Sequence, residues 1–136
     1  MVVPAALIVS VLKMAYVFQG KESILPHELL AGLNEMLYGN VGHEFVTACA
    51  LHIDLEKKVL YLANAGHPPL LHWKKSTREI AQYRPFGRPM GLLTDGAYEL
   101  SQPVSLESGD WRTLNSMAAT LGFFPRSTVD PGRRIT

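Results

Sequence analysis

The sequence predicts an α+β fold, with two N-terminal helices followed by antiparallel strands. Two observations lead there. Apolar residues recur at helical spacing up to about residue 38, and the period then shortens to that of strands. Short charged or Gly/Pro-rich links then separate the strand-like runs, at the length of hairpin turns. The 136 residues suit one folded domain, and 47% hydrophobic against 18% charged residues supports a packed core and argues against global disorder.

Pro4 fits the first turn of a helix, where its missing N–H costs nothing. Residues 5–18 supply good helix formers with apolar residues on nearly every face, as expected of a helix buried on more than one side. Gly20 stops it. A second helix is predicted from Pro26 to about Tyr38, with Leu29, Leu30, Leu33, Met36 and Leu37 as its apolar stripe and Glu28 and Glu35 facing outward. Glu28 also suits the helix N-terminal dipole, and Gly39-Asn40 ends the element. Residues 44–54 and 59–65 read as strands joined through Leu55-Glu56-Lys57-Lys58, a hairpin. A third strand is predicted over residues 70–73, after the Gly66-His67-Pro68-Pro69 turn, and a short fourth over 80–83. Residues 87–96 read as a loop broken by Pro89, Gly91 and Gly96. Residues 98–106 read as a further strand, bent or confined to an edge by Pro103.

Composition excludes several classes. The formal net charge is +1 and no Lys/Arg cluster is interleaved with aromatics, so the footprint of a nucleic-acid binder is missing. Residues 2–18 are mostly apolar, but Lys13 interrupts them and no basic residue precedes them. A membrane span needs about 20 apolar residues, and a signal peptide needs a positive leader. Cys49 is the only cysteine, which excludes an internal disulfide or a Cys-rich zinc site and fits a cytoplasmic protein. Between Ala48 and Ala50, it reads as a small core residue. The character changes after Asp110. Residues 1–110 carry nine Lys/Arg against eleven Asp/Glu, whereas residues 111–136 carry four Arg against Asp130 alone. Two segments are therefore expected: a folded domain over 1–110, and a divergent, partly disordered tail over 111–136 in which only 114–124 suits a short helix.

Several segments, in order, resemble the SpoIIE-like branch of the metal-dependent (PPM-type) protein serine/threonine phosphatases. The most specific is Asn64-Ala65-Gly66-His67-Pro68-Pro69. Val3-Pro4-Ala5-Ala6-Leu7 resembles the start of the helix after the family's Asp-x-x-Gly-His-Gly turn. Pro26-His27-Glu28-Leu29-Leu30 with Leu33-Asn34 resembles the next helix, and Phe45-Val46-Thr47-Ala48 with Ile53-Asp54 the Phe-Val-Thr strand. Gly87-Arg88-Pro89-Met90-Gly91 resembles the later Pro-Leu-Gly loop, and Gly109-Asp110 the Gly-Asp step before a core strand. The resemblance implies an incomplete PPM-phosphatase-like α-β-β-α sandwich lacking its N-terminal strands, with open strand edges and apolar helix faces that favour self-association.

The resemblance also implies a reaction. Two divalent cations, manganese or magnesium, activate a water that attacks a phosphoserine or phosphothreonine. The family's substrates are phosphorylated regulatory proteins of the anti-sigma-factor-antagonist type. Its indispensable Asp residues precede the Gly-His-Gly turn, end a Thr-Asp-Gly strand after the Gly-Asp step, and lie further toward the C-terminus. This sequence matches none of the three. It begins at Met1-Val2-Val3 where Gly-His-Gly is expected, and Gly109-Asp110 is followed by Trp111-Arg112-Thr113-Leu114-Asn115-Ser116. A frameshift or gene boundary near codon 111 is one origin for that change. Thr94-Asp95-Gly96 imitates the metal-binding triplet but precedes the Gly-Asp step and reads as a turn.

No catalytic or metal-ligating residue is therefore assigned, and no full metal ligation is expected. The alternative to a phosphatase is a non-catalytic, partner-binding or degenerate fragment. His67 either lines the edge of a cleft or ties down its turn by hydrogen bonding, and the turn chemistry favours the second. Asn64 and Gly66 suit backbone bonding and unusual φ/ψ. His43, His52, His67 and His72 lack the helical spacing of a zinc pair and read as surface or strand residues. Thr47 and Ser10 show no base partner that would make a nucleophile.

Overall fold

The computed structural model describes residues 5–19, 24–40 and 44–114. Two helices, α1 (Ala5–Gln19) and α2 (Pro26–Leu37), precede six strands. These are β1 (Ala48–Asp54), β2 (Val59–Ala65), β3 (Leu70–Lys74), β4 (Glu79–Tyr83), β5 (Val104–Ser105) and β6 (Trp111–Leu114). They form two antiparallel three-stranded sheets, ordered β1-β2-β5 and β4-β3-β6. The expected α+β arrangement is present.

The period-two pattern of β1 and β2 sets the layers. Leu60 and Leu62 face one way, joined by Cys49, Leu51 and Ile53 of β1. They meet Leu70 of β3, with Tyr83 of β4 packed alongside, so the two sheets share a leucine-rich core. Ala63 and Ala65 face the other way with Ala48 and Ala50. Their small side chains admit α2, whose Leu30, Leu33 and Leu37 are fully enclosed. Each such leucine contributes about 1.5–3 kcal/mol of burial. Pro26 opens α2, and the Glu28 carboxylate accepts the Leu25 N–H at 3.2 Å, the reciprocal half of a capping box.

Three elements differ from the sequence reading. The first helix was expected to be buried on more than one side. Leu12 is buried and Ile8 and Val11 are packed, but Leu7, Met14 and Val17 are exposed. Among the described residues α1 packs on α2 alone, and one neighbour covers only one stripe. The strand expected over 44–54 begins at Ala48, because Val46 pairs with an isolated loop residue, Met90, rather than with a strand. The strand expected over 98–106 shrinks to Val104–Ser105 at the sheet edge. Pro103 has no N–H for the ladder, and Ser101 substitutes locally: its N–H donates to Leu62 O, and its hydroxyl accepts the Leu62 N–H.

The first hairpin forms as read, and β3 and β4, read only as two strands around a charged connection, form a second. Asp54 Oδ1 accepts the Lys57 N–H in the first turn at 2.9 Å, and Arg78 N–H reaches Lys74 O at 2.7 Å in the second. No strand was assigned to Trp111–Leu114, yet these residues pair with β3 from Trp73 back to Leu70. The short helix expected over 114–124 lies, apart from Leu114, outside the described residues, as do Gly20 and His43. No helix among the described residues is long and apolar enough to cross a membrane.

Candidate functional site

The chain changes sheets between Ala65 and Leu70. β2 and β3 are consecutive but belong to different sheets, so Gly66-His67-Pro68-Pro69 is an inter-sheet corner rather than a hairpin. Asn64 holds this corner. Its side chain is buried, its Oδ1 accepts the His67 N–H at 2.7 Å, and its Nδ2 donates to His67 O at 2.8 Å and toward Pro68 O at 3.4 Å. One amide thus satisfies both backbone groups of His67 in a place where the strand ladder cannot. Ala65, fully buried, pairs with Ala48 on the helix-facing side, and Pro68 is exposed.

Two glycines let a second loop close on the corner. Gly66 adopts φ +65° and donates its N–H to Gly87 O at 2.8 Å. A Cβ on Gly66 would stand 2.5 Å from Pro89 Cγ, and one on Gly87 would overlap the carbonyl oxygen of Asn64. The same loop is fixed on its other side by Val46 and Met90, which exchange both backbone hydrogen bonds at 2.9 and 2.8 Å. Met90 is completely buried, while Phe45 beside Val46 is 54% exposed. Thr47 completes the junction: the sequence reading finds it no base partner, yet its hydroxyl is hydrogen-bonded to His67 Nδ1 at 3.2 Å, a contact across 20 residues with no local signature. Desolvation lowers the pKa of His67 below the ordinary histidine value. The three segments singled out in the sequence (45–47, 64–69 and 87–91) therefore meet at one place.

Two further braces escaped the sequence reading. Asn34, buried within the apolar stripe of α2, accepts the Gly91 N–H at 2.8 Å and donates to Leu93 O at 3.0 Å. The signal was a polar residue between Leu33 and Leu37, on a face otherwise destined for the core. The second is Asp110. Its Oδ2 meets His72 Nε2 at 2.8 Å and its Oδ1 accepts the Lys75 N–H at 2.9 Å, with His72 and Asp110 both buried. The sequence reading singles out Asp110 only in the Gly109-Asp110 step, and no local pattern links it to His72. Cys49 sits against the inter-sheet core, and burial pushes its thiol up to about 11, which makes it inert.

Among the described residues the donor set does not make up a two-cation centre. Such hard cations want about six oxygen ligands each, yet both oxygens of Asp110 are engaged within the protein. Asp95 is an exposed loop residue in the Thr94-Asp95-Gly96 turn, where Gly96 lies against Asn34 and Ala31 of α2. Among the described residues no three His, Cys, Asp or Glu side chains stand close enough to hold a metal ion.

A two-helix layer followed by a pair of antiparallel sheets, with three motif segments locked at one corner, is an α+β arrangement consistent with a partial PPM-type domain. The family model described as Stage II sporulation protein E (SpoIIE) matches residues 3–116, and the chain belongs to that family. It is also 28% identical over 119 residues to the protein named phosphoserine phosphatase RsbU of Bacillus subtilis strain 168. That match covers 87% of this chain and 35% of the relative, so the chain spans about a third of the length of that protein.

Proposed function

We propose that this chain is the framework of a protein serine/threonine phosphatase of bacterial regulatory signalling, and that it does not hydrolyse phosphoprotein by itself. The observation that carries the first half is the meeting of the Phe-Val-Thr, Asn-Ala-Gly-His-Pro and Arg-Pro-Met-Gly segments at one corner, in a chain of the SpoIIE family. The similar RsbU, whose name states phosphoserine as its substrate, supports the same class. The substrate in this reading is a cytoplasmic phosphorylated regulatory protein of the anti-sigma-factor-antagonist type. In this reading Asn64, Ala65, Gly66, His67 and Pro68, with Phe45, Val46 and Thr47, are structural or cleft-edge residues, and none is assigned contact with the reacting phosphorus.

The second half rests on the donor set. Two manganese or magnesium ions would need carboxylates beyond Asp95 and Asp110, and Asp110 is committed to His72 and Lys75. The same engagement favours a second reading, a non-catalytic fragment that binds a phosphorylated partner without turning it over. Purified chain incubated with excess manganese and a phosphoserine-bearing regulatory protein should release no phosphate above the blank. Manganese-dependent multiple turnover would overturn the inactive reading. Retention of that protein without hydrolysis would select the binding one. Translating the other frames around codon 111 should recover an apolar strand ending in Thr-Asp-Gly if a frameshift produced the tail; a reading without one refutes that origin.

A further inference from the structure

Exposure alternates residue by residue in the segment that leads from β4 to the corner. Arg84, Phe86 and Arg88 are exposed, whereas Pro85, Gly87 and Pro89 are half-buried. A period of two is the pattern of an extended chain with one side on the protein and one in water. The inward side is fixed: a Cβ on Gly87 would meet Asn64 O and Tyr98, and the Pro89 ring lies against Gly66. The backbone is fixed too. Phe86 donates its N–H to Glu99 Oε2 at 2.9 Å and accepts the Glu99 N–H at 3.0 Å, and Gly87 O accepts the Gly66 N–H at 2.8 Å.

The outward side is chemically specific. Arg84 and Arg88 stand four residues apart, about 13 Å along an extended chain, with the 58% exposed ring of Phe86 between them. Among the described residues neither guanidinium has an ion-pair or hydrogen-bond partner. The Glu99 carboxylate is held at Phe86, so the strip is positive at its ends and negative at its middle. An extended partner with carboxylates two residues either side of an apolar residue matches this order, because its alternate side chains face one way at the same rise. A carboxylate at its central position would be repelled by Glu99. The Phe86 backbone groups are already bonded, so side chains rather than strand addition do the reading.

We propose that Arg84, Phe86 and Arg88 form a docking strip for an extended acidic segment of the protein substrate, patterned acidic–x–apolar–x–acidic. The proposal rests on the phosphoprotein reading above and adds where the substrate is held. Arg88 lies between Gly87 and Pro89, both seated against Gly66, so a segment on the strip leads straight to the corner of Thr47 and His67. Exposed arginine–carboxylate pairs are individually weak and serve selectivity more than affinity, as suits a substrate that must leave.

Nuclear magnetic resonance of the isotope-labelled chain, without manganese, tests this with the pentapeptide Glu-Thr-Val-Thr-Glu at millimolar concentration. The amides of Phe86, Gly87 and Arg88 and the Nε–H groups of Arg84 and Arg88 should shift on titration. Gln-Thr-Val-Thr-Gln, and Glu-Glu-Val-Thr-Thr with its charges side by side, should each bind about tenfold more weakly. These peptide comparisons need no variant. Arg84→Glu/Arg88→Glu should abolish the shifts, whereas Lys57→Glu on the β1–β2 turn should leave them. No shift at the strip overturns the proposal, as does equal binding of the three peptides or an equal response at Lys57, which would mean unspecific attraction of charge. Strip resonances that broaden with protein concentration and not with peptide overturn it as well, and assign the face to a second copy of the chain. Phosphate release plays no part here. Failure to bind therefore removes the strip and leaves the phosphatase framework standing, and manganese-dependent turnover would remove the inactive reading and leave the strip.

Discussion

Removing the Asn64 carboxamide should loosen the inter-sheet corner by an amount the geometry lets one work out. In Asn64→Ala the His67 N–H loses its acceptor at 2.7 Å in a half-buried turn, and His67 O loses its donor at 2.8 Å. An orphaned donor of this kind costs about 1–3 kcal/mol, and the second lost bond about 0.5–1.5 kcal/mol. The sum, about 2–4 kcal/mol, is a large share of the ~5–15 kcal/mol that holds a domain together. It corresponds to a Tm lower by roughly 6–12 °C for a chain of this length. Urea denaturation with unchanged m-value is the assay, supported by faster hydrogen exchange at the His67 amide. Asn64→Asp provides the sharper test. Its second oxygen would replace Nδ2 and face the carbonyls of His67 and Pro68. That contact disfavours the ionised form and raises the introduced carboxyl's pKa in the folded state. The native state then binds the proton more tightly than the unfolded state, so the penalty is small in acid and grows as pH rises through the carboxylate range. Asn64→Ala within 0.5 kcal/mol of the parent, taken as roughly the scatter of neutral surface changes, would refute the reasoning. An Asn64→Asp penalty independent of pH would refute it equally.

Asp110→Ala should cost about 2–4 kcal/mol, because it removes the carboxylate bonded to the buried His72 Nε2 and to the Lys75 N–H; thermal denaturation checks this, and a loss under about 0.5 kcal/mol, the scatter of neutral surface changes, would mean that these bonds do not form in solution. His67 has a lowered folded-state pKa, so the native state binds its proton less readily than the unfolded chain. Stability should therefore fall as pH drops from about 6.5, the ordinary histidine value, toward the folded-state value, and His67→Gln should remove that slope; NMR titration of the imidazole reads the pKa directly. Gly87→Ala pushes a methyl into the Asn64 carbonyl and Tyr98, and should cost about 3 kcal/mol or more or abolish folding. A soluble variant with parental Tm would show that the loop does not close on the corner.

Much of the architecture was legible because the forces that set it are local. The stripe of Leu30, Leu33 and Leu37 on α2 is a matter of helical period, and the buried positions match it. The first hairpin follows from turn length and from the strand character of residues 44–54 and 59–65. The corner was partly legible as well: Asn64 and Gly66 were read as suited to backbone bonding and unusual φ/ψ, and Asn64 bonds the His67 backbone while Gly66 has φ +65°. Helix α1 was misread on its burial because apolar composition states what a helix can bury, not how many neighbours reach it. Residues 98–106 were overextended because strand propensity does not count the ladder bonds that Pro103 forgoes.

By itself, the sequence determined the α+β class, the two helices, the first hairpin, the special backbone at Asn64–Pro68 and the SpoIIE resemblance. All of these rest on spacing within a dozen residues or on short motifs. The tertiary structure alone decided that β2 and β3 lie in different sheets, which turns a presumed turn into the joint of the domain. It alone brought His72 to Asp110 across 38 residues and Asn34 to Gly91 across 57, and placed Trp111 beside Trp73 on an outer face. Each of those contacts costs chain entropy that only the assembled core can offset, so none has a local signature.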